Sequence, residues 1–172
     1  QGVISNFADL HNLYSIGVAL VKDDPYTYTT IDSDIEAFEI NFVLPAGLFA
    51  VDKATGNINS WAVTYKVEYK LNEDEEYIDL GETTINAYSR TALRRTFRKS
   101  GLTAGKYDIR ITRTSDDTSL DPQLVGDLQL SSIDEIKTDD LAYPYTALLS
   151  IKALATDQLS GSTPNITFVV KG

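Results

Sequence analysis

The sequence predicts an all-β domain, a two-sheet sandwich with extra strands at its flanks. Three observations carry that expectation. Apolar and polar residues alternate at period two in run after run, the spacing that puts successive side chains on opposite faces of a strand. Turn-forming Gly, Pro, Asn and Asp separate the runs at intervals of roughly 8–12 residues, the rhythm of short antiparallel strands. No segment sustains a 3.6-residue apolar period. Short helical turns are expected only near residues 6–12 and 156–159.

The runs follow in order. Residues 14–21 form a weak first strand. Phe38, Ile40, Phe42 and Leu44 then alternate with Glu39, Asn41 and Val43. Pro45-Ala46-Gly47 closes that run, and residues 52–57 (Asp-Lys-Ala-Thr-Gly-Asn) read as a hairpin loop. Trp61, Val63, Tyr65, Val67, Tyr69 and Leu71 share one face of the clearest strand, with Ala62, Thr64, Lys66, Glu68 and Lys70 on the other. The charged stretch Asn72-Glu73-Asp74-Glu75-Glu76 is a hairpin tip. Weaker runs span 77–85, 92–98, 127–136, 145–153 and 166–170, and Tyr107, Ile109 and Ile111 alternate with Asp108, Arg110 and Thr112. Aromatic and β-branched residues fill these runs, as a pleated surface favours. Residues 115–122 form a polar loop.

Bulk properties narrow the function. With 172 residues and 42% hydrophobic content, the chain can bury a real core. Its formal net charge of −10 argues against nucleic acid, which demands clustered Lys and Arg, and against an anionic membrane surface. No apolar run approaches the ~18 residues that would cross a bilayer, so no membrane insertion is expected. Cysteine is absent, which excludes disulfides and thiolate metal sites. Methionine is also absent and the chain opens Gln1-Gly2, the pattern expected of a piece of a longer polypeptide.

Candidate chemistry is sparse. His11 is the single histidine, so a Ser-His-Asp arrangement would have to pass through it, and no Gly-x-Ser-x-Gly elbow exists. Carboxylates are common but no pair stands out for acid–base work. Neither Asn72–Glu76 nor Asp116-Asp117-Thr118-Ser119-Leu120-Asp121 has the turn glycine of a calcium loop, and both read as solvated tips. No catalytic residue, cofactor or metal site is expected. Arg90, Arg94, Arg95, Arg98, Lys99, Arg110 and Arg113 concentrate on two strands expected to be adjacent; cross-strand pairing with Asp and Glu is the expected use, and docking of an acidic neighbour or sugar is the alternative. Trp61, Tyr65 and Tyr69 belong to the core face. Tyr26 and Tyr28, beside Pro25, are the candidates for an exposed aromatic patch.

One local pattern sharpens the fold. Leu102-Thr103-Ala104-Gly105-Lys106-Tyr107-Asp108-Ile109-Arg110-Ile111 resembles the turn and strand of fibronectin type III domains, in which a tyrosine hydroxyl bonds back to the preceding loop as a tyrosine corner. The resemblance implies a structural motif of Leu102, Gly105 and Tyr107, with Trp61 in the facing strand. It implies a fibronectin type III/immunoglobulin-like sandwich over residues 36–137, by the size of about 100 residues typical of such domains. Residues 1–35 and 138–172 are then flanking strand regions, expected to pack near each other outside that core.

Two further segments carry a resemblance of function. Tyr143-Pro144-Tyr145-Thr146-Ala147-Leu148-Leu149, followed by residues 155–164, is similar to a Y-P-N-T-A-L-L … A-x-Q-x-S-G-x-x-P segment of the lambda-like phage tail tip attachment protein J family, with Tyr145 in place of the Asn. Residues 89–98 and 105–113 resemble the T-R-S-A-F-x-R-x-Y … Y-D-V-R-V-T-R of the same family, in the same order. The similarity covers roughly residues 36–172. It implies a non-catalytic structural module of a tail tip, a virion component made in the bacterial cytoplasm. Its implied partners are other tail-tip proteins, copies of itself in a trimeric hub, and a host cell-surface receptor. Tyr143, Pro144, Tyr145, Arg94 and Arg98 are the expected interaction surface. The rival readings are a carbohydrate-binding or adhesin-type sandwich, which requires an exposed aromatic groove or a calcium loop, and a cell-envelope enzyme, which requires converging carboxylates.

Overall fold

In a computed structural model that describes residues 9–118 and 121–138, eleven strands form an antiparallel sandwich with no α-helix among the described residues. They are β1 (Asp9–Ala19), β2 (Tyr26–Thr29), β3 (Ile35–Leu44), β4 (Phe49–Val51), β5 (Ile58–Asn59), β6 (Trp61–Leu71), β7 (Ile78–Ala87), β8 (Leu93–Gly105), β9 (Tyr107–Arg113), β10 (Leu124–Val125) and β11 (Gln129–Thr138). One sheet has the order β1-β11-β3-β8 and the facing sheet the order β2-β9-β6-β7. A small sheet, β10-β4-β5, lies apart from both.

The period-two alternation fixes which side of each strand is buried. Phe38, Ile40, Phe42 and Leu44 of β3 meet Val63, Tyr65, Val67, Ile109 and Ile111 of the facing sheet in one core. Aromatic rings knit the layers: Phe42 lies 4.3 Å from Tyr65 between centroids, and Phe38 lies 6.1 Å from Tyr69. Burying each such side chain is worth about 1.5–3 kcal/mol. Trp61 and Leu102 are half-buried against the rim of this core, and Leu71, expected on the core face, is exposed where β6 leaves the sandwich.

The edges of the sandwich depart from expectation. In immunoglobulin-type folds the last strand joins the sheet of the strand that follows the tyrosine corner. Here β11 instead pairs with β3 and β1 in the other sheet. The free side of β9 is taken by β2, in register Tyr26↔Ile111 through Thr29↔Asp108. Strands β1 and β2, expected outside the core, are thus hydrogen-bonded into its two sheets, and no boundary falls at residue 35 in the strand pairing. The reason is unpaired backbone: without β2 and β1, β9 and β11 would each present an open edge. Tyr28 accordingly is buried and Tyr26 packs against the core, so they form no exposed patch. Residues 9–12, expected to include a helical turn, lie in β1. Residues 139–172 fall outside the described residues, and with them the runs at 145–153 and 166–170 and the turn at 156–159.

Strands β8 and β9 are not neighbours either. Strand β8 runs on to Gly105, through what the sequence reads as a loop, and only Lys106 separates it from β9 in the opposite sheet. The expected basic stripe is therefore divided between the two layers.

Candidate functional site

The sharp step from β8 to β9 is closed by Tyr107. Its ring is 3% exposed and its hydroxyl donates to the Thr103 carbonyl at 2.5 Å. Its backbone N–H donates to Thr30 Oγ1 at 2.9 Å, and Thr30 N–H returns a bond to the Tyr107 carbonyl. Gly105 leaves room for Leu71, since a Cβ there would lie 2.7 Å from the leucine Cδ2. These contacts hold the crossing between the two sheets.

Among the described residues the most deeply buried acid is Glu135, which the sequence did not single out. It lies opposite Phe38 in register, so it points into the sandwich. Its Oε1 accepts from the Tyr28 hydroxyl at 2.6 Å and from Ile31 N–H at 2.7 Å, and Oε2 accepts from Asp32 N–H at 2.8 Å. One side chain thus ties β2 and the β2–β3 connection to the opposite sheet. Burial, and then the bond to Glu135, push the Tyr28 hydroxyl well above its usual ionisation range. Burial, opposed by a bond to Thr83, raises the Tyr65 hydroxyl to about 12. The reason Glu135 was hidden is a bulge: the register of β11 against β3 slips between Leu130 and Ser132, which reverses the facing of every later residue.

Charges on the outer faces are largely spent on one another. On the β6–β9 face, Glu68 accepts from Arg110 Nε at 2.9 Å and pairs with Lys66 Nζ at 3.0 Å. Arg110 also stacks over Tyr77, 4.0 Å from the ring centroid. The Arg110 bond, working against partial burial, holds the Glu68 carboxyl below its ordinary range. On the other face, Arg98 reaches Glu39 at 2.7 Å and Asp9 at 3.3 Å. Lys99 turns inward over Tyr69, 5.6 Å from its centroid. His11 sits in β1 with Nδ1 2.6 Å from Asp134 Oδ2, a tie from β1 to β11.

The acidic loop after β9 carries its own cation. Arg113 is 2% exposed, and it donates to the carbonyls of Ser115 and Asp116 while Nε lies 3.6 Å from Asp117 Oδ1. Lys22 binds Asp116 and, through its backbone N–H, Asp117. Among the described residues no group of three or more His, Asp or Glu is arranged to hold a metal.

Of the expected surface residues, Arg94 is exposed and Arg98 is ion-paired, both on the outward face of β8. Tyr143, Pro144 and Tyr145 fall outside the described residues. Two further exposed residues, one of them from the expected basic stripe, precede Arg94 along the chain. Tyr88, in the connection between β7 and β8, is 62% exposed, and Arg90 sits over the Phe49 ring at 5.8 Å.

The described residues thus form an antiparallel β-sandwich whose two layers are crossed at a tyrosine-closed turn. Comparison with known proteins then gives its kinship. The model of the FNIII-A domain of tip attachment protein J matches residues 11–139, and the chain belongs to that family. The match begins within β1, so the resemblance reaches earlier than residue 36. The chain is 29% identical over 156 residues to the tip attachment protein J of Escherichia phage SECphi4, covering 88% of this chain and 13% of that protein. It is 22% identical over 175 residues to the protein of the same name from Escherichia phage SECphi27, covering 99% of this chain and 14% of that one. The chain therefore spans about one seventh of these relatives. A solved structure from Sulfurospirillum deleyianum overlays with a TM-score of 0.40 at 12% identity, covering 73% of this chain and 98% of that one, too low to carry an argument. The chain is a module of the phage tail tip attachment type.

Proposed function

We propose that this domain is a non-catalytic structural module of a phage tail tip that contributes to tail-tip assembly and host adsorption. The observation that carries the reading is the family match from residue 11 to residue 139, which runs from within β1 to the end of β11. The side chains support it: Glu135, Glu68, Arg98, Arg110 and Arg113 are engaged in holding strands and loops together. The partners in this reading are other tail-tip proteins and further copies of the parent chain in a trimeric hub, with a host cell-surface receptor beyond them. The Tyr143–Tyr145 segment belongs to the proposed contact surface.

The test is an in-frame deletion of the module from the attachment protein of an infectious phage. The expected result is normal heads with tails that are malformed or fail to adsorb. Fully infectious particles with intact tails would overturn the reading.

A further inference from the structure

We propose that the connection from Tyr88 to Leu93 and the adjoining start of β8 form a docking surface for an extended acidic segment of another protein. The inference deepens the tail-tip reading by naming a surface, and rests on it only for the partner's place in the particle.

Four observations converge on this corner. Strand β8 is the last in its sheet, with no strand on its far side among the described residues. An open edge is a row of backbone donors and acceptors that an added strand can complete. Next, Tyr88, Arg90 and Arg94 are all exposed along one short stretch of chain at this edge. Neither arginine has a carboxylate partner among the described residues, whereas Arg98 further along is already neutralised by Glu39 and Asp9. Tyrosine and arginine are the residues most enriched at binding hot spots.

The connection is also rigid. Leu48 and Ser89 exchange backbone hydrogen bonds at 2.9 and 3.1 Å, and the Ser89 hydroxyl lies 3.0 Å from Thr91 Oγ1. Gly47 is wedged beneath it with φ +90, where a Cβ would lie 2.2 Å from the Ser89 carbonyl oxygen. A surface fixed before binding loses less entropy when a partner arrives.

Charge then selects the partner. The corner is basic on a chain of net charge −10. A second copy pairing edge to edge about this corner would bring Arg94 against Arg94, a repulsion that disfavours self-pairing in that register. An extended segment with alternating carboxylates would complete the backbone ladder and neutralise Arg90 and Arg94, leaving Tyr88 to pack on its apolar positions.

The experiment uses the full chain and three fluorescent probes: an octapeptide of alternating Glu and Val, its Lys and Val counterpart, and a polygalacturonate oligomer. Binding is read by anisotropy, and the site by backbone amide shifts. The Glu peptide is expected to bind, with shifts concentrated at residues 88–98, and the Lys peptide is not. The double variant Arg90→Glu, Arg94→Glu should weaken binding about tenfold or more, and Tyr88→Ala by about fivefold, with unfolding midpoints unchanged. Four results would each overturn the proposal: no binding at millimolar peptide, equal binding of the Lys peptide, shifts centred on β1 or β7, or affinity indifferent to charge reversal. Preference for polygalacturonate over the Glu peptide would also sink it, by showing anion attraction without strand addition. The phage deletion can fail while the peptide binds, and the reverse, so the two readings fall separately.

Discussion

Glu135 and Glu68 are both sunk into the body of the protein, and they are neutralised in opposite ways. Glu135, at 0% exposure, faces the core and receives three neutral donors from the far side of the sandwich. Glu68, at 9% exposure, faces outward and receives two cations from its own and a neighbouring strand. The difference lies in what each holds together. Ion pairs along one sheet surface reinforce strands whose backbones are already paired, and solvent and salt screen them. A buried carboxylate bridging two layers replaces water with fixed donors, and its removal strands every one of them.

The comparison can be broken first at Glu135. Glu135→Ala should cost about 3–5 kcal/mol, since a hydroxyl and two backbone N–H groups lose their acceptor inside the fold. Chemical denaturation should show this, with amide exchange quickening first at Ile31 and Asp32. A cost near that of an ordinary surface substitution would mean that water replaces the carboxylate. Tyr28→Phe removes one donor of the three and should cost about 1.5–3 kcal/mol, the range for a hydrogen bond to a charged group. Tyr107→Phe is the neutral counterpart, losing a bond to the Thr103 carbonyl, and about 0.5–1.5 kcal/mol is expected. If Tyr107→Phe proved the costlier, the carboxylate would not be what makes the Tyr28 bond strong.

Glu68 sharpens the contrast at the small end. Glu68→Gln should cost about 1 kcal/mol or less at low ionic strength and still less in 1 M salt, while the Glu135→Ala penalty should hardly move with salt. Acid offers a second measure. The folded Glu68 carboxyl titrates below its ordinary 4.5 because Arg110 and Lys66 favour the charged form. The unfolded chain therefore binds its proton first, and the stabilisation, present above that value, is lost as pH falls through the folded one. Glu68→Gln should flatten the acid limb of the stability curve. An unchanged acid limb would show that the pair contributes nothing measurable.

The sequence revealed Glu68 and concealed Glu135 for one reason. In β6 the alternation from Trp61 to Tyr69 is unbroken, so parity alone puts Glu68 on the polar face beside Lys66. In β11 the bulge between Leu130 and Ser132 shifts parity by one, and Glu135 comes to lie with Ile133 and Leu130 inside. The step from Leu130 to Ile133 breaks the period of two, but Ile136 returns to the earlier parity, so the residues alone leave the facing open and it is set by how β11 fits between β1 and β3. The basic residues show the same limit. Their number on two successive strands is plain in the sequence, yet whether those strands pair depends on a single residue, Lys106, across which the chain changes sheets.

By itself, the sequence determined the all-β class, the inward residues of β3, β6 and β9, the hairpin tips, and the tyrosine motif that turns β8 into β9. These follow from local periodicity and turn chemistry, which act over a few residues. Only the tertiary structure decided that β2 would close the free side of β9, that β11 would cross to the sheet of β3, and that Tyr28, Ile31 and Asp32 would meet on Glu135. Those choices join residues about a hundred positions apart. They are settled by which pairing leaves the fewest open edges and unmet buried donors, a property of the whole molecule and of no segment within it.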